Sequence, residues 1–222
     1  MYNTSINSVL LHWYHKNKRN LPWRDIHDPY RIWLSEVMLQ QTQVNTVIPY
    51  YNKWIAKYPT LSSVAESQID DLLKLWEGLG YYSRCRNFFK ACQIIMNEYE
   101  GNIPSNIIEF KSLPGVGPYI AGAVMSIAFN NPQPAIDGNI NRIMFRYLGL
   151  KNQTKYNKIR VYSKLSTFIF LNPGEIIQAL MDIGSSICKP NSASCDQCPL
   201  SISCKGFLNG SPLLYPIYKN KK

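Results

Sequence analysis

Apolar residues recur at helical spacing along almost the whole chain, and strand signals are sparse. Val9, Leu10 and Trp13 mark a first helix, and residues 30–41 mark a second. Tyr50, Tyr51, Trp54 and Ile55 share one face of a third. Leu72, Leu73, Leu75 and Trp76 mark a fourth, stopped by Gly78 and Gly80, and Phe88, Phe89, Cys92, Ile95 and Met96 mark a fifth. Short turns rich in Pro, Gly, Asn or Ser separate them, with no internal repeat. The expected class is all-α. At 222 residues and 45% hydrophobic, the chain can bury a core without disulfide staples, as one large domain or two small ones.

Lys and Arg number 24 against 14 Asp and Glu, a formal charge of +10. Such a balance points to a polyanionic partner, nucleic acid first. The longest apolar stretch, Ile120 to Phe129, contains Gly122 and Ser126 and is too short to span a bilayer. The N-terminus lacks the charged start, apolar middle and cleavage site of a signal peptide. An intracellular chain in the cytoplasm or nucleoid is therefore expected, with reduced thiols and no membrane partner. The Asn-x-Ser/Thr triplets at Asn3, Asn152 and Asn209 then carry no weight for glycosylation. The closing YKNKK reads as a basic tail at the start of a linker.

Four of the six cysteines, Cys188, Cys195, Cys198 and Cys204, form a C-x6-C-x2-C-x5-C set on a polar, Pro-containing loop. Four thiolates so placed read as a metal centre. Structural zinc usually takes two short knuckles, and only one is present, Cys195 to Cys198. Spacing therefore favours an iron–sulfur cluster and leaves zinc open. Cys85 and Cys92 read as small core or surface residues of a helix.

The segment 107–129 has an apolar helix, then Leu-Pro-Gly-Val-Gly, then a small-residue helix. Gly115 and Gly117 would permit positive φ and close backbone approach. The second helix would present backbone N–H groups to a phosphate. An ordinary helical corner is the alternative. In a basic chain the pattern fits a helix–hairpin–helix gripping the DNA backbone without reading sequence.

Two carboxylates sit in contrasting contexts. Glu36 has Ile32, Trp33 and Leu39 as helical neighbours, so desolvation should raise its pKa and suit it to be a general acid. The alternative is a rim glutamate reaching water. Asp137 precedes a helix marked by Ile140, Ile143, Met144, Tyr147 and Leu148, where N-cap donors should keep it anionic. The alternative is a plain structural cap. One neutral and one anionic carboxyl is the pattern of glycosidic-bond cleavage.

These residues resemble the adenine DNA glycosylases of the MutY type, within the helix–hairpin–helix glycosylase superfamily. The matching stretches are LPWR (21–24), DPYRIWLSEVMLQQTQVNTVIPYY (28–51), LWEGLGYYSRCRN (75–87), LPGVGPYIAGAV (113–124), DGNINR (137–142), QALMDIGSSIC (178–188) and the cysteine loop. The resemblance implies a [4Fe–4S] cluster on the four cysteines. It implies Glu36 as the acid that protonates adenine, Asp137 as the carboxylate stabilising the sugar cation, Asn139 beside it, and Tyr119 in the catalytic pocket. Arg24, Leu39 and Gln178 match positions lining the adenine pocket. Gln41, Thr42 and Tyr81 match residues inserted into the duplex, offsetting the cost of flipping the base. One of Tyr81 and Tyr82 is expected to pack in the core instead.

The implied fold is a six-helix barrel lobe over 28–134, with the hairpin at about 106–125. A second lobe is expected from 1–27 and 135–222 with the cluster loop at 188–204, the active site lying in the cleft between. The implied partner of a monomeric chain is double-stranded DNA with adenine opposite guanine or 8-oxoguanine. Endonuclease III, a relative, has Lys where this chain has Tyr119, and some adenine glycosylases have Lys where it has Asn141. A monofunctional glycosylase with little lyase activity is therefore expected. Family members continue into a C-terminal domain past the point where this sequence stops, so a weaker 8-oxoguanine preference is expected. The rivals are a thymine or uracil mismatch glycosylase and a non-catalytic iron–sulfur DNA-binding protein.

Overall fold

The computed structural model describes residues 6–217. Asn3 and the basic tail therefore lie outside the described residues. In chain order the α-helices are α1 (Ile6–Asn17), α2 (Pro29–Leu39), α3 (Val44–Lys57), α4 (Leu61–Ala65), α5 (Ile69–Trp76), α6 (Ser83–Glu98), α7 (Ile107–Ser112), α8 (Pro118–Ala128), α9 (Gly138–Leu148), α10 (Lys155–Phe168), α11 (Pro173–Ser186) and α12 (Lys205–Leu208). Short 3-10 turns occupy Cys195–Gln197, Ser201–Ser203 and Pro212–Leu214. Among the described residues the only extended pairing is an isolated bridge between Cys188 and Ala193. The all-α class holds.

The chain divides into two compact units. One runs from Asn20 to Phe129 and holds α2 to α8. Its helix starts are written in the sequence. Asp28 accepts from the backbone N–H groups of Tyr30 (2.9 Å) and Arg31 (3.4 Å), with Pro29 in the first turn where no N–H is needed. Thr60 and Ser63 form a capping box on α4, and Asn106 caps α7. The core is aromatic. Trp33 packs 4.5 Å from Phe88 and 5.4 Å from Phe110, and Trp54 meets Trp76 edge-on at 5.6 Å. Cys85 and Cys92 are both fully buried there. The Tyr30 hydroxyl, inside the same core, donates to Tyr58 O and accepts from Trp54 Nε1. The sequence reading places residues 130–134 in this lobe, whereas they belong to the other unit, and it places residues 20–27 with the other lobe. They pack here instead, because Leu21 and Trp23 are buried in this core and Trp23 meets Tyr51 edge-on at 5.1 Å.

The other unit combines the described residues up to Arg19 with those from Asn130 onward, and holds α1 and α9 to α12. Helix α1 is tied to α11 by the buried Asp182. Its carboxylate accepts from Arg19 Nε at 2.6 Å and from the Arg19 backbone N–H at 3.3 Å. Helices α9 and α11 approach closely at Gly184. A Cβ there would lie 2.5 Å from Asn139 Cβ and 3.3 Å from Asn139 Cα. The glycine of the IGSS stretch is thus a packing requirement.

An exposed helical glycine gains up to about 1 kcal/mol on replacement by alanine. At Gly184 the clash should outweigh that gain. Gly184→Ala should lower stability by about 1–3 kcal/mol, the usual cost of overpacking, read as a fall in the urea midpoint. A midpoint unchanged or raised would contradict the close packing described.

Candidate functional site

Glu36 lies on α2 and is only 4% exposed. The rim alternative is therefore overturned. Its Oε2 accepts from the Tyr119 hydroxyl at 2.6 Å. Tyr119 is half-buried in the first turn of α8. Two sequence candidates are thus brought together, 83 residues apart in the chain.

The turn before α8 makes this possible. Gly115 has φ +79, and a Cβ there would lie 2.9 Å from Asn87 Cβ on α6. Gly117 differs from expectation. Its backbone is extended (φ −83, ψ 175), and nothing lies within 4 Å of where its Cβ would be. Only Gly115 needs the left-handed region. Gly117 keeps the α8 N-terminus open, where no side chain caps the helix.

Leu39 ends α2 and packs partly against the core, and Arg24 is buried. Thr42 donates its N–H to Leu39 O and its hydroxyl to Gln40 O, closing the turn after α2. Gln41 and Tyr81 both have left-handed backbones (φ +56 and +48), which is uncommon outside glycine. Tyr81 is 58% exposed and Tyr82 43%, so neither is a core residue, contrary to expectation. The residue that sequence reasoning missed is Arg84. It is buried, and its guanidinium donates to five backbone carbonyls: Val37, Met38, Gln40, Leu79 and Gly80, at 2.6–3.2 Å. Its acceptors carry no side-chain signature, so no pattern of residue types could have flagged it.

In the other unit Asp137 is the N-cap of α9, accepting from Ile140 N–H at 2.7 Å. Its second oxygen accepts from Asn139 Nδ2 at 3.1 Å, and Asn139 Oδ1 accepts from Arg142 Nη2 at 2.8 Å. Arg142 also donates to Gly184 O and Cys188 O, so α9, α11 and the start of the thiol loop share one cation. The capping donors favour the Asp137 anion, as expected, but they do not act alone. Burial pushes its carboxyl above the usual aspartate range and outweighs the Ile140 and Asn139 hydrogen bonds and Arg142, which pull it down. Gln178, on α11, gives its side-chain N–H to Gly174 O.

The four loop cysteines are half-buried free thiols. Burial raises the pKa of Cys195 and Cys204 and pushes Cys198 up to about 12, with mutual repulsion among the sulfurs adding to it. Arg146 supports the loop, donating to Lys189 O, Pro190 O, Tyr215 O and Cys188 Sγ. Among the described residues no set of three or more His, Cys, Asp or Glu converges as ligands of a single metal ion do.

The description "HhH-GPD superfamily base excision DNA repair protein" matches residues 34–166, which include Glu36, the hairpin and Asp137. The chain belongs to this superfamily. It is 40% identical over 216 residues to the adenine DNA glycosylase of Buchnera aphidicola subsp. Baizongia pistaciae, covering 96% of this chain and 62% of that protein. It is 37% identical over 234 residues to the human adenine DNA glycosylase, covering 94% of this chain and 43% of that one. It thus spans less than two thirds of the length of these relatives. A thermostable thymine-DNA glycosylase of known structure superposes with a TM-score of 0.82 at 27% identity, covering 91% of this chain and 95% of that one. An endonuclease III chain from a trapped covalent DNA complex shares the superfamily fold, with a TM-score of 0.73 at 22% identity, covering 92% and 94%.

Asp137 should titrate above an aspartate in an unfolded peptide, near 3.9. A raised carboxyl favours the fold on the acid side, and that contribution is lost as pH rises through the folded pKa. Asn139→Ala removes a bond that favours the anion and should raise the midpoint further, as followed by carboxyl NMR. A midpoint at or below the peptide value would contradict the balance described.

Proposed function

We propose that the chain is a monofunctional adenine DNA glycosylase acting on adenine opposite guanine or 8-oxoguanine in double-stranded DNA. The buried Glu36 carboxyl under the Tyr119 hydroxyl carries the reading, since it is the group best fitted to hold and deliver a proton. The identity to curated adenine DNA glycosylases, 36–40% over nearly the whole chain, supports adenine as the base.

In this reading Glu36 delivers its proton to adenine N7, so that the electrons of the C1′–N9 bond leave on a neutral base. Asp137, ionised, stabilises the oxocarbenium-like sugar. Asn139, bonded to Asp137 and to Arg142, fixes the carboxylate's orientation. Water adds its oxygen to C1′, and its proton restores Glu36. The products are free adenine and an abasic site. Arg24, Leu39 and Gln178 line the adenine pocket. Gln41, Thr42 and Tyr81 enter the duplex, and the open α8 N-terminus after Gly115 and Gly117 holds a phosphate. Tyr119 has no amine to form a Schiff base, so borohydride should trap little covalent product.

Cys188, Cys195, Cys198 and Cys204 would hold a [4Fe–4S] cluster, four free thiols being the donor set such a group takes. When bound it supplies a rigid cross-link to a loop with little apolar core. Iron and acid-labile sulfide in equal amounts in the purified protein are expected. We take the protein as a DNA-associated monomer, and among the described residues no helix is long and apolar enough to cross a membrane. The likeness to the thymine-DNA glycosylase favours a second reading, removal of mismatched thymine, at lower sequence identity.

Glu36→Gln and Asp137→Asn test the proposal. Each should keep duplex affinity within a few-fold while base release falls, by about 10²–10⁴ for the loss of the general acid. Full turnover in either variant would overturn the assigned role.

A further inference from the structure

Arg84 makes one hub of two loops. Three of its five bonds go to the C-terminal end of α2 and the turn after it (Val37, Met38 and Gln40 O), and two go to the end of the 77–81 loop (Leu79 and Gly80 O). Each segment is followed at once by a non-glycine residue in the left-handed region, Gln41 after Gln40 and Tyr81 after Gly80. The guanidinium also lies 5.4 Å from the ring centroids of Tyr81 and Trp76. Trp76 is itself fixed, fully buried with Nε1 donating to Gly80 O at 3.0 Å. The same helix, α6, carries Asn87, on which Gly115 of the hairpin rests. A left-handed backbone at two such residues costs of order 1–3 kcal/mol each and persists only when the surroundings enforce it. Arg84 is the group that reaches both.

We propose that Arg84 is a positioning residue for base extrusion: it holds the Gln41 and Tyr81 tips at a fixed separation, so that they enter the helical stack together and open one base pair. This deepens the glycosylase reading and rests on it. A planar fork with two separate terminal nitrogens is required, because Nη1 meets the carbonyls at the end of α2 while Nη2 meets those of the 77–81 loop. An ammonium of the same charge offers three donors from one point and cannot span them.

The experiment compares Arg84→Lys with the unchanged protein, after a thermal melt confirms that the variant is folded. Arg84→Gln serves if the lysine variant melts early. Two duplexes are used, one with adenine opposite guanine and one with the same adenine as a single-base bulge, where no pair has to be opened. Arg84→Lys should slow single-turnover release from the paired duplex by about tenfold or more, equal to about 1.4 kcal/mol. It should leave release from the bulge within a few-fold of the unchanged protein. Glu36→Gln should lose both. An equal loss on both duplexes would show that Arg84 acts through Glu36 or general stability, and no loss on either would show that the tips do not need it; each overturns the proposal.

2-Aminopurine beside the target reports unstacking without catalysis, which separates the two readings. The unchanged protein should raise its fluorescence on binding, and Arg84→Lys should not. A rise with no base released from any duplex would sink the glycosylase reading and leave the role of Arg84 standing. Equal rises for both proteins, or no rise for either, would overturn that role.

Discussion

Buried guanidinium groups bonded to backbone carbonyls hold the functional loops in place. Helices that end at a site leave unpaired carbonyl groups, and these must find donors. Arg84 supplies them at the end of α2 and the 77–81 loop, Arg142 at Gly184 and Cys188, and Arg146 at Lys189, Pro190 and Tyr215. A buried charge is tolerated only when most of its donors are bonded, as both terminal nitrogens of Arg84 are although its Nε is not, so each of these residues accepts few alternative arrangements. Lysine could not replace them, because the bonds run in several directions from one plane.

The chemistry-bearing residues sit beside these anchors. Glu36 is in the last turn of the helix whose end Arg84 ties down. Asp137 and Asn139 open the helix that carries Arg142, and Asn139 is bonded to it. Cys188 lies just past the end of α11, where Arg142 takes its carbonyl and Arg146 its sulfur. Conformational freedom is thus withdrawn around these candidate groups, while Tyr81 stays exposed and the α8 N-terminus has no side-chain cap. The raised Asp137 carboxyl fits this economy: its capping bonds select a geometry, and burial makes the anion less comfortable than an N-cap on an open surface would.

Much of this was legible from residues alone. The apolar neighbours of Glu36 point to a desolvated carboxyl, with a rim position as the alternative that its burial removes, and the helical spacing after Asp137 marks its cap, whereas the cap at Asp28 went unread. The Leu-Pro-Gly-Val-Gly run gave the hairpin, with Gly115 rightly assigned a special backbone and Gly117 wrongly so. Helix α10 escaped notice because its first turns expose Lys155, Tyr156, Lys158, Ile159 and Arg160, and only Val161, Leu165 and Phe168 are buried. The bond from Tyr119 to Glu36 follows from packing between distant segments, which no local pattern encodes. The buried arginines were invisible for a different reason. A positive residue in a basic chain reads as surface charge for DNA, and acceptors on the backbone leave no trace in residue identity. Arg24, Arg84, Arg142 and Arg146 are all buried, so the net charge overstates the cationic groups at the surface.

The most direct test of the account is single-turnover base release by the unchanged chain from four duplexes. These carry adenine opposite 8-oxoguanine, adenine opposite guanine, thymine opposite guanine and uracil opposite guanine, with abasic sites revealed by alkali. The account predicts cleavage of the adenine strands alone. Release of thymine or uracil without adenine would contradict it and assign the chain to the mismatch branch. Tight binding with no release from any duplex would contradict the enzymatic reading altogether.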